Sequence, residues 1–429
     1  MKSDVLYRLI ALITCFFLLA APTYSQDTHQ VKPTHKIIYF GSSVPKGVGA
    51  TNEYGYTSMF TDILKQQSAA GKTQWETVNI SIGGDNTLKV LKRYEKDFLP
   101  QKGQYVIFAL ALGNEGIHEQ GEPVFDQFER NMKILINKAR SHGYTPVVTN
   151  SYTRNDYNEI DYRFIKQMNL LIHTWEVPSI NLLGAIDDLA GHWTDGYWAD
   201  SAHPNDAGHR EMAYTIPPSL FDALEVNKPL PKRIEGSSLH FKNKGQRTKL
   251  FLFKPENIVH SFTTSINFKT AQPGTLMSFQ TSGKNEGQKQ GVLSIDDKGA
   301  VIYSSPKSDK ISTINVNDSQ WHTLTLTHYY AKGITLLYID TELQGTVEEQ
   351  LIATDFQIGG SDIPKKIAYK DWLFYRSGMN QDEISRIAEG PLLKSSLELY
   401  APLDGKKVEV NDPSINLAQS LNTLIEQQK

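Results

Sequence analysis

The chain has 429 residues, enough for two or three domains of ordinary size, and its 44 Lys+Arg against 47 Asp+Glu give a formal net charge of -3. That balance, with no dominant basic stretch, argues against a nucleic-acid partner. The one cysteine, Cys15, lies in the N-terminal apolar run, so the rest of the chain offers no thiol for a disulfide, a thiolate metal site or a nucleophile.

Residues 1–25 read as a signal peptide. Lys2 and Arg8 mark the charged end, Leu9 to Ala21 is almost wholly apolar, and Thr23-Tyr24-Ser25 offers small residues at the two positions a signal peptidase inspects, with cleavage before Gln26. The run is shorter than the roughly 20 residues of a spanning helix. The mature chain is therefore expected to be exported, to a periplasm or the cell exterior, with no transmembrane segment. Thr14 and the apolar residues after Cys15 do not fit a lipoprotein cleavage site.

From Lys36 to about Leu224, short apolar runs alternate with amphipathic stretches. Ile37-Ile38-Tyr39-Phe40, Trp75 to Ser81, Tyr105 to Leu112, Thr145 to Ser151 and Val177 to Leu183 are strand candidates. Between them Phe125, Phe128, Met132, Leu135, Ile136 and Ala139 recur at helical spacing. Strands joined through single helices imply right-handed crossovers, hence an α/β three-layer sandwich around a parallel sheet. Reactive groups in such sheets collect at the carboxyl ends of the strands.

Four strand-end segments carry polar groups suited to chemistry, each with a structural alternative. Ser43, in the turn after the first strand, can be a nucleophile or a cap for exposed amides. Gly83-Gly84 lets a backbone amide approach a ligand closely, or simply makes a tight turn before a helix capped by Asp85 or Thr87. Asn114, in Leu112-Gly113-Asn114-Glu115, can donate to a developing oxyanion or serve as a turn residue. Asp200 and His203, three apart in a loop, can fold to one side so that the carboxylate reaches the imidazole, or act as a cap and a surface histidine. His192, Asp195 and His209 lie nearby, but no firm metal-ligand spacing appears and no metal or other cofactor is expected.

In this order the four segments resemble the SGNH (GDSL-type) hydrolases, a family with a flavodoxin-like sheet named for a Ser, Gly, Asn and His from four blocks. The matching stretches are Gly41-Ser42-Ser43-Val44-Pro45-Lys46-Gly47, Asn79-Ile80-Ser81-Ile82-Gly83-Gly84-Asp85, Gly113-Asn114-Glu115 and Asp200-Ser201-Ala202-His203-Pro204-Asn205. The resemblance implies Ser43 as nucleophile, His203 as general base and acid, and Asp200 orienting His203. The oxyanion hole would comprise the amides of Ser43 and Gly84 with the Asn114 side chain. Two positions depart from the pattern: Ser42 stands where the family has Asp, which leaves it a rival nucleophile, and Glu115 replaces the more usual Asp. The spacing from Gly41 to Gly47 favours Ser43.

After Lys228-Pro229-Leu230-Pro231-Lys232 the pattern changes to period two, in His260 to Phe268, Trp321 to Thr327 and Ile334 to Ile339, with a helix expected at Gln381 to Ala388. Such strands imply an all-β jelly roll or sandwich. The Trp321 strand, Leu337-Tyr338-Ile339-Asp340 and Trp372-Leu373-Phe374-Tyr375-Arg376 resemble LamG-like, concanavalin A-type domains. Trp321 and Trp372 are expected in the core, the alternative being sugar stacking. The resulting division is a signal peptide at 1–25, a hydrolase domain at 26–227, a linker at 228–236, the LamG-like domain at 237–410 and a C-terminal tail at 411–429.

An exported esterase beside a lectin-like domain points to O-acetyl groups on a glycan or polysaccharide, and to a glycan ligand for the C-terminal domain. Trp193, Tyr197 and Trp198 precede the Asp200–His203 pair, either as a sugar-stacking wall or as packing for that loop. A lipid or lysophospholipid esterase is the alternative within the same chemistry. A non-catalytic carbohydrate-binding or adhesion protein, with Ser42 marking a decayed site, is the alternative outside it.

Overall fold

The structure, a computed structural model, describes residues 35–234, 238–242, 249–282, 289–305, 307, 309–360, 362–403 and 415–428. The expected signal segment, Cys15 included, lies outside these residues. Five short strands build the N-terminal sheet: β1 (Lys36–Gly41), β2 (Glu76–Asn79), β3 (Tyr105–Ala109), β4 (Thr145–Thr149) and β5 (Ser179–Ile180). All pair in parallel, in the order β2-β1-β3-β4-β5. The chain steps from β1 outward to β2 and then back across β1 to β3. The order therefore reverses at β1, which opens a crevice at the carboxyl ends of these strands.

Burial on both faces explains why β1, β3 and β4 read as apolar runs, whereas β2, at the edge of the sheet, is only partly buried. In β1, Ile38 and Phe40 pack with Val106, Phe108 and Val148 under α3 (Thr87–Arg93), α5 (Glu122–Ser141) and α6 (Glu159–Thr174). Ile37 and Tyr39 point the other way, into a cluster with Tyr105, Ile107 and Val147 beneath α2 (Tyr56–Ala69), α8 (Asp206–Tyr214) and α9 (Leu220–Glu225). The remaining helices of this half, α1 (Ser43–Lys46), α4 (Ile117–Gln120) and α7 (Leu183–Ile186), are single turns. The strands end earlier than their apolar runs: β3 stops at Ala109, and Leu112 already belongs to the turn that carries Asn114.

The second half is an antiparallel two-sheet sandwich. One sheet runs in the order 342–348, 334–339, 321–329, 262–270, 366–375 and 397–401, with 239–242 also pairing on 366–375. The other runs 309–315, 300–304, 289–295, 274–281, 353–359, 249–253 and 424–428. Phe262, Leu324, Trp372 and Phe374 of the first sheet meet Phe253, Phe279 and Phe356 of the second in one apolar core. Each such side chain contributes about 1.5–3 kcal/mol by leaving water. On its outer face, Tyr329, Leu373 and Tyr375 pack with Ile384 and Ile387 of α10 (Gln381–Glu389), which Asn380 caps.

Two expectations need correction here. The expected C-terminal tail contributes a strand, 424–428, which pairs with 249–253 and places Leu424 in the sandwich core. Five residues ending Glu-Gln-Gln carry too little alternation to betray it. Trp372 is fully buried, but Trp321 is 37% exposed, with the Lys370 ammonium 4.5 Å over its ring. Trp321 begins its strand, where the opposite sheet no longer covers it.

The two halves meet through polar groups. Arg376, wholly buried, donates to the carbonyls of Tyr214, Glu256 and Ile258 and to the Glu398 carboxylate at 2.5–2.8 Å. The Ser377 hydroxyl donates to the Asn181 carbonyl at 3.1 Å, and the Asn181 amide donates to Glu383 at 2.8 Å. Gly184 of α7 lies so close to the Gly378 carbonyl that a Cβ would sit 1.8 Å from its oxygen, so only glycine allows this approach.

Candidate active site

Ser43, Gly84 and Asn114 follow the carboxyl ends of β1, β2 and β3, and the turn that carries Asp200 and His203 brings the imidazole to them. β1 ends at Gly41, where a Cβ would sit 2.1 Å from the Ala109 carbonyl oxygen, so only glycine allows this approach. Ser43 then opens α1, a single turn closed by Gly47 in the left-handed region at φ 104°. Being first in the helix, the Ser43 amide has no carbonyl within it to bond. Its hydroxyl does not cap: Oγ lies 2.9 Å from His203 Nε2. Ser42 is 1% exposed, and its side chain bonds the buried Tyr152 phenol.

Asp200 and His203 face each other across a tight hairpin, β6 (Trp198–Asp200) against β7 (His203–Pro204), in which the two residues are directly paired. Both Asp200 carboxylate oxygens lie 2.9 Å from His203 Nδ1. A carboxylate only accepts, so Nδ1 carries the proton and Nε2 is left to accept from the Ser43 hydroxyl. Asp200 also accepts from the Ala202 amide at 2.8 Å. Its partial burial works to raise its pKa, but the bonds from His203 and Ala202 outweigh this and hold it below the ordinary carboxylate range. Asp200 remains 56% exposed, whereas the His203 side chain is 20% exposed.

Gly84 follows β2 at φ 75°, a conformation that glycine adopts without strain. Asn114 sits in a 3-10 turn after β3, and its Nδ2 donates to the Asp85 carbonyl at 2.9 Å, which fixes the amide and leaves its second hydrogen. With Val44, Val48, Ala111 and Tyr152, these residues line a cleft of about 360 Å³ that holds both Ser43 and His203. Glu115 turns away from it and is buried, accepting from the Thr87 amide at 2.5 Å at the start of α3. The cap of α3 is Asn86, and Asp85 instead pairs with Arg93 at 2.6 Å.

Two polar side chains of the cleft lie outside the residues expected from the sequence. Tyr152 and Arg154 follow β4, and Arg154 is bidentate to Asp156 at 3.0 and 2.6 Å. The strand-end rule that singled out Ser43, Gly84 and Asn114 applies to β4 as well. His209, grouped earlier with metal-ligand candidates, lies on α8 and is fully buried. Its Nδ1 accepts from the Tyr56 amide at 3.2 Å and its Nε2 donates to the Val48 carbonyl at 3.1 Å. Burial pushes its pKa down to about 4. Asp206, on the same helix, accepts from the Thr51 amide and hydroxyl at 2.6 and 2.7 Å. Together they pin the 48–56 loop beside the cleft. Among the described residues no three His, Cys, Asp or Glu side chains are grouped to hold a metal ion.

The aromatic trio divides. Trp193 is 2% exposed and packs beside Tyr152, and Tyr197 is half-buried against the same core. Neither lines the cleft around Ser43, because the β6–β7 hairpin uses them as its footing. Trp198 is 39% exposed but belongs to the adjoining cleft.

Residues 39–211, which span every strand end described, match the GDSL-like Lipase/Acylhydrolase family. The chain resembles part of YqeF, an uncharacterized lipoprotein of Bacillus subtilis (strain 168), at 26% identity over 115 residues, 26% of this chain and 46% of the relative. The chain thus spans about half the length of that curated relative. Among solved structures, a variant of Axe2, an acetyl xylan esterase from Geobacillus stearothermophilus, is 17% identical with a TM-score of 0.33, over 42% of this chain and 91% of that one. The lipase Lip_vut3 from a goat rumen metagenome is 18% identical with a TM-score of 0.36, over 42% and 93%.

Proposed function

We propose that the protein is a serine esterase that removes O-acetyl groups from a glycan or polysaccharide. The observation that carries this is the unbroken hydrogen-bonded line from the Ser43 hydroxyl through His203 to Asp200, each step 2.9 Å. The Ser43 oxygen attacks the acetyl carbonyl as its proton passes to His203 Nε2. The tetrahedral oxyanion is received by the Ser43 and Gly84 amides and the Asn114 side chain. The carbon–oxygen bond to the sugar then breaks, the alcohol leaves with the proton from His203, and the acyl group stays on Ser43. Water, deprotonated by His203, attacks that ester, releasing acetate and restoring the serine.

A small acyl group is supported by the cleft volume, about 360 Å³, at the low end of the ~300–1,000 Å³ typical of ligand sites. Export belongs to the same proposal and rests on residues 1–25; no helix among the described residues is long and apolar enough to cross a membrane. The antiparallel sandwich is proposed to be LamG-like, on the Trp321 and Trp372 strands and the α10 that follows them. The test is acetate release from a panel of acetylated polysaccharides, alongside turnover of 4-nitrophenyl acetate and 4-nitrophenyl palmitate. Acetyl esters should be preferred. Preference for palmitate would transfer the chemistry to lipid substrates, and inertness towards every ester would leave only a binding protein.

A further inference from the structure

Beside the Ser43 cleft lies a second, larger one of about 590 Å³, whose wall includes Asn155, Asp195, Trp198, Ser201 and Lys332. We propose that this second cleft receives the sugar chain bearing the ester, and that the β-sandwich completes it by contributing Lys332. The proposal rests on the esterase reading and assigns the alcohol side of the substrate to a site of its own.

The two clefts are neighbours along two loops at once. After β4, Arg154 lines the first and Asn155 the second; in the β6–β7 turn, Ser201 lines the second while Ala202 and His203 line the first. The Asn155 amide donates to the Ser201 carbonyl at 2.9 Å, so the loops are joined where the clefts meet. An ester held at Ser43 with its acyl group in the first cleft therefore has its alcohol portion directed past Ser201 into the second.

The chemistry of the second cleft suits a pyranose. Trp198 offers a large, partly open aromatic face, on which the C–H face of a sugar ring stacks. Around it stand groups that bond hydroxyls. Asn155 uses its carbonyl oxygen on the Trp193 amide at 2.9 Å, which leaves its side-chain N–H donors. Asp195 is exposed and has no hydrogen-bond or ion-pair partner among the described residues. Lys332 comes from the turn between the strands 321–329 and 334–339, and its ammonium donates to the Asp188 carbonyl at 2.7 Å. An ammonium has three donors, so two remain. A lipid chain would gain nothing from this ring of polar groups.

The experiment separates the subsite from the chemistry. In an inactive Ser43→Ala background, binding of xylo-, manno-, chito- and galacturono-oligosaccharides is measured by titration calorimetry, with and without Trp198→Ala or Lys332→Ala. At least one series should bind, and Trp198→Ala should weaken it by about tenfold, the scale of one lost aromatic contact. In the active protein, each variant should lower kcat/KM for the acetylated polysaccharide relative to kcat/KM for 4-nitrophenyl acetate, which is too short to fill both clefts. If no oligosaccharide binds, or binding ignores both substitutions, the subsite is wrong even where 4-nitrophenyl acetate is turned over. If oligosaccharides bind through Trp198 but no ester is cleaved, the subsite stands and the esterase reading fails.

Discussion

Asp200 is the member of the Ser43–His203–Asp200 line whose contribution the geometry predicts to be unusually small. In well-studied hydrolases the corresponding carboxylate is buried, and its loss costs ~10⁴ in kcat. Here the carboxylate is 56% exposed. Two unit charges about 4 Å apart attract by ~4 kcal/mol at an effective dielectric of 20 and by ~1 kcal/mol in bulk water. A half-exposed carboxylate beside a developing imidazolium falls between, at about 2–3 kcal/mol, which corresponds to ~10²-fold in rate. In Asp200→Ala, water can also reach Nδ1 and take over part of the orienting hydrogen bond. The expected result is a kcat for 4-nitrophenyl acetate lowered about a hundredfold with KM little changed. Because Asp200 is held below the ordinary carboxylate range, the loss should be uniform across neutral and mildly alkaline pH. A kcat within threefold of the native protein would refute its orienting role, and a ~10⁴-fold loss would refute the argument from exposure.

Asn114→Ala should lower kcat by ~10²–10³ through loss of an oxyanion donor, with KM nearly unchanged; a change confined to KM would make Asn114 a substrate contact instead. His209 gives a stability prediction. Its pKa falls from 6.5 in the unfolded chain to about 4 when buried, so between these values the unfolded state holds more protons and stability is lost as pH drops. The pH-dependent term is close to zero at neutral pH and reaches roughly 2 kcal/mol at pH 5. Chemical unfolding of His209→Gln at the two pH values should therefore show a smaller acid loss than the native protein by about that amount, and an unchanged difference would mean that the imidazole is not held neutral.

The parallel sheet was legible because both its faces are buried, which leaves strands such as Ile37-Ile38-Tyr39-Phe40 as apolar runs between helical patterns. The strand-end positions of Ser43, Gly84 and Asn114 followed from that alternation. What stayed hidden was non-local. Nothing in the order of Trp193, Tyr197 and Trp198 says which ring supports the hairpin and which meets solvent, since that depends on Tyr152, some forty residues upstream. The strand 424–428 is defined by its partner at 249–253 rather than by its own composition. The Lys332 contribution to the second cleft arises only where the two halves meet, and the buried Arg376 and Gly184 contacts that hold them together leave no periodic trace.

The most direct measurement is covalent labelling with a fluorophosphonate, followed by peptide mapping. If Ser43 is the nucleophile, the native protein carries a single adduct at Ser43, Ser42→Ala still labels, and Ser43→Ala does not. An adduct on Ser42, or undiminished labelling of Ser43→Ala, would contradict the line of hydrogen bonds on which the proposed activity depends.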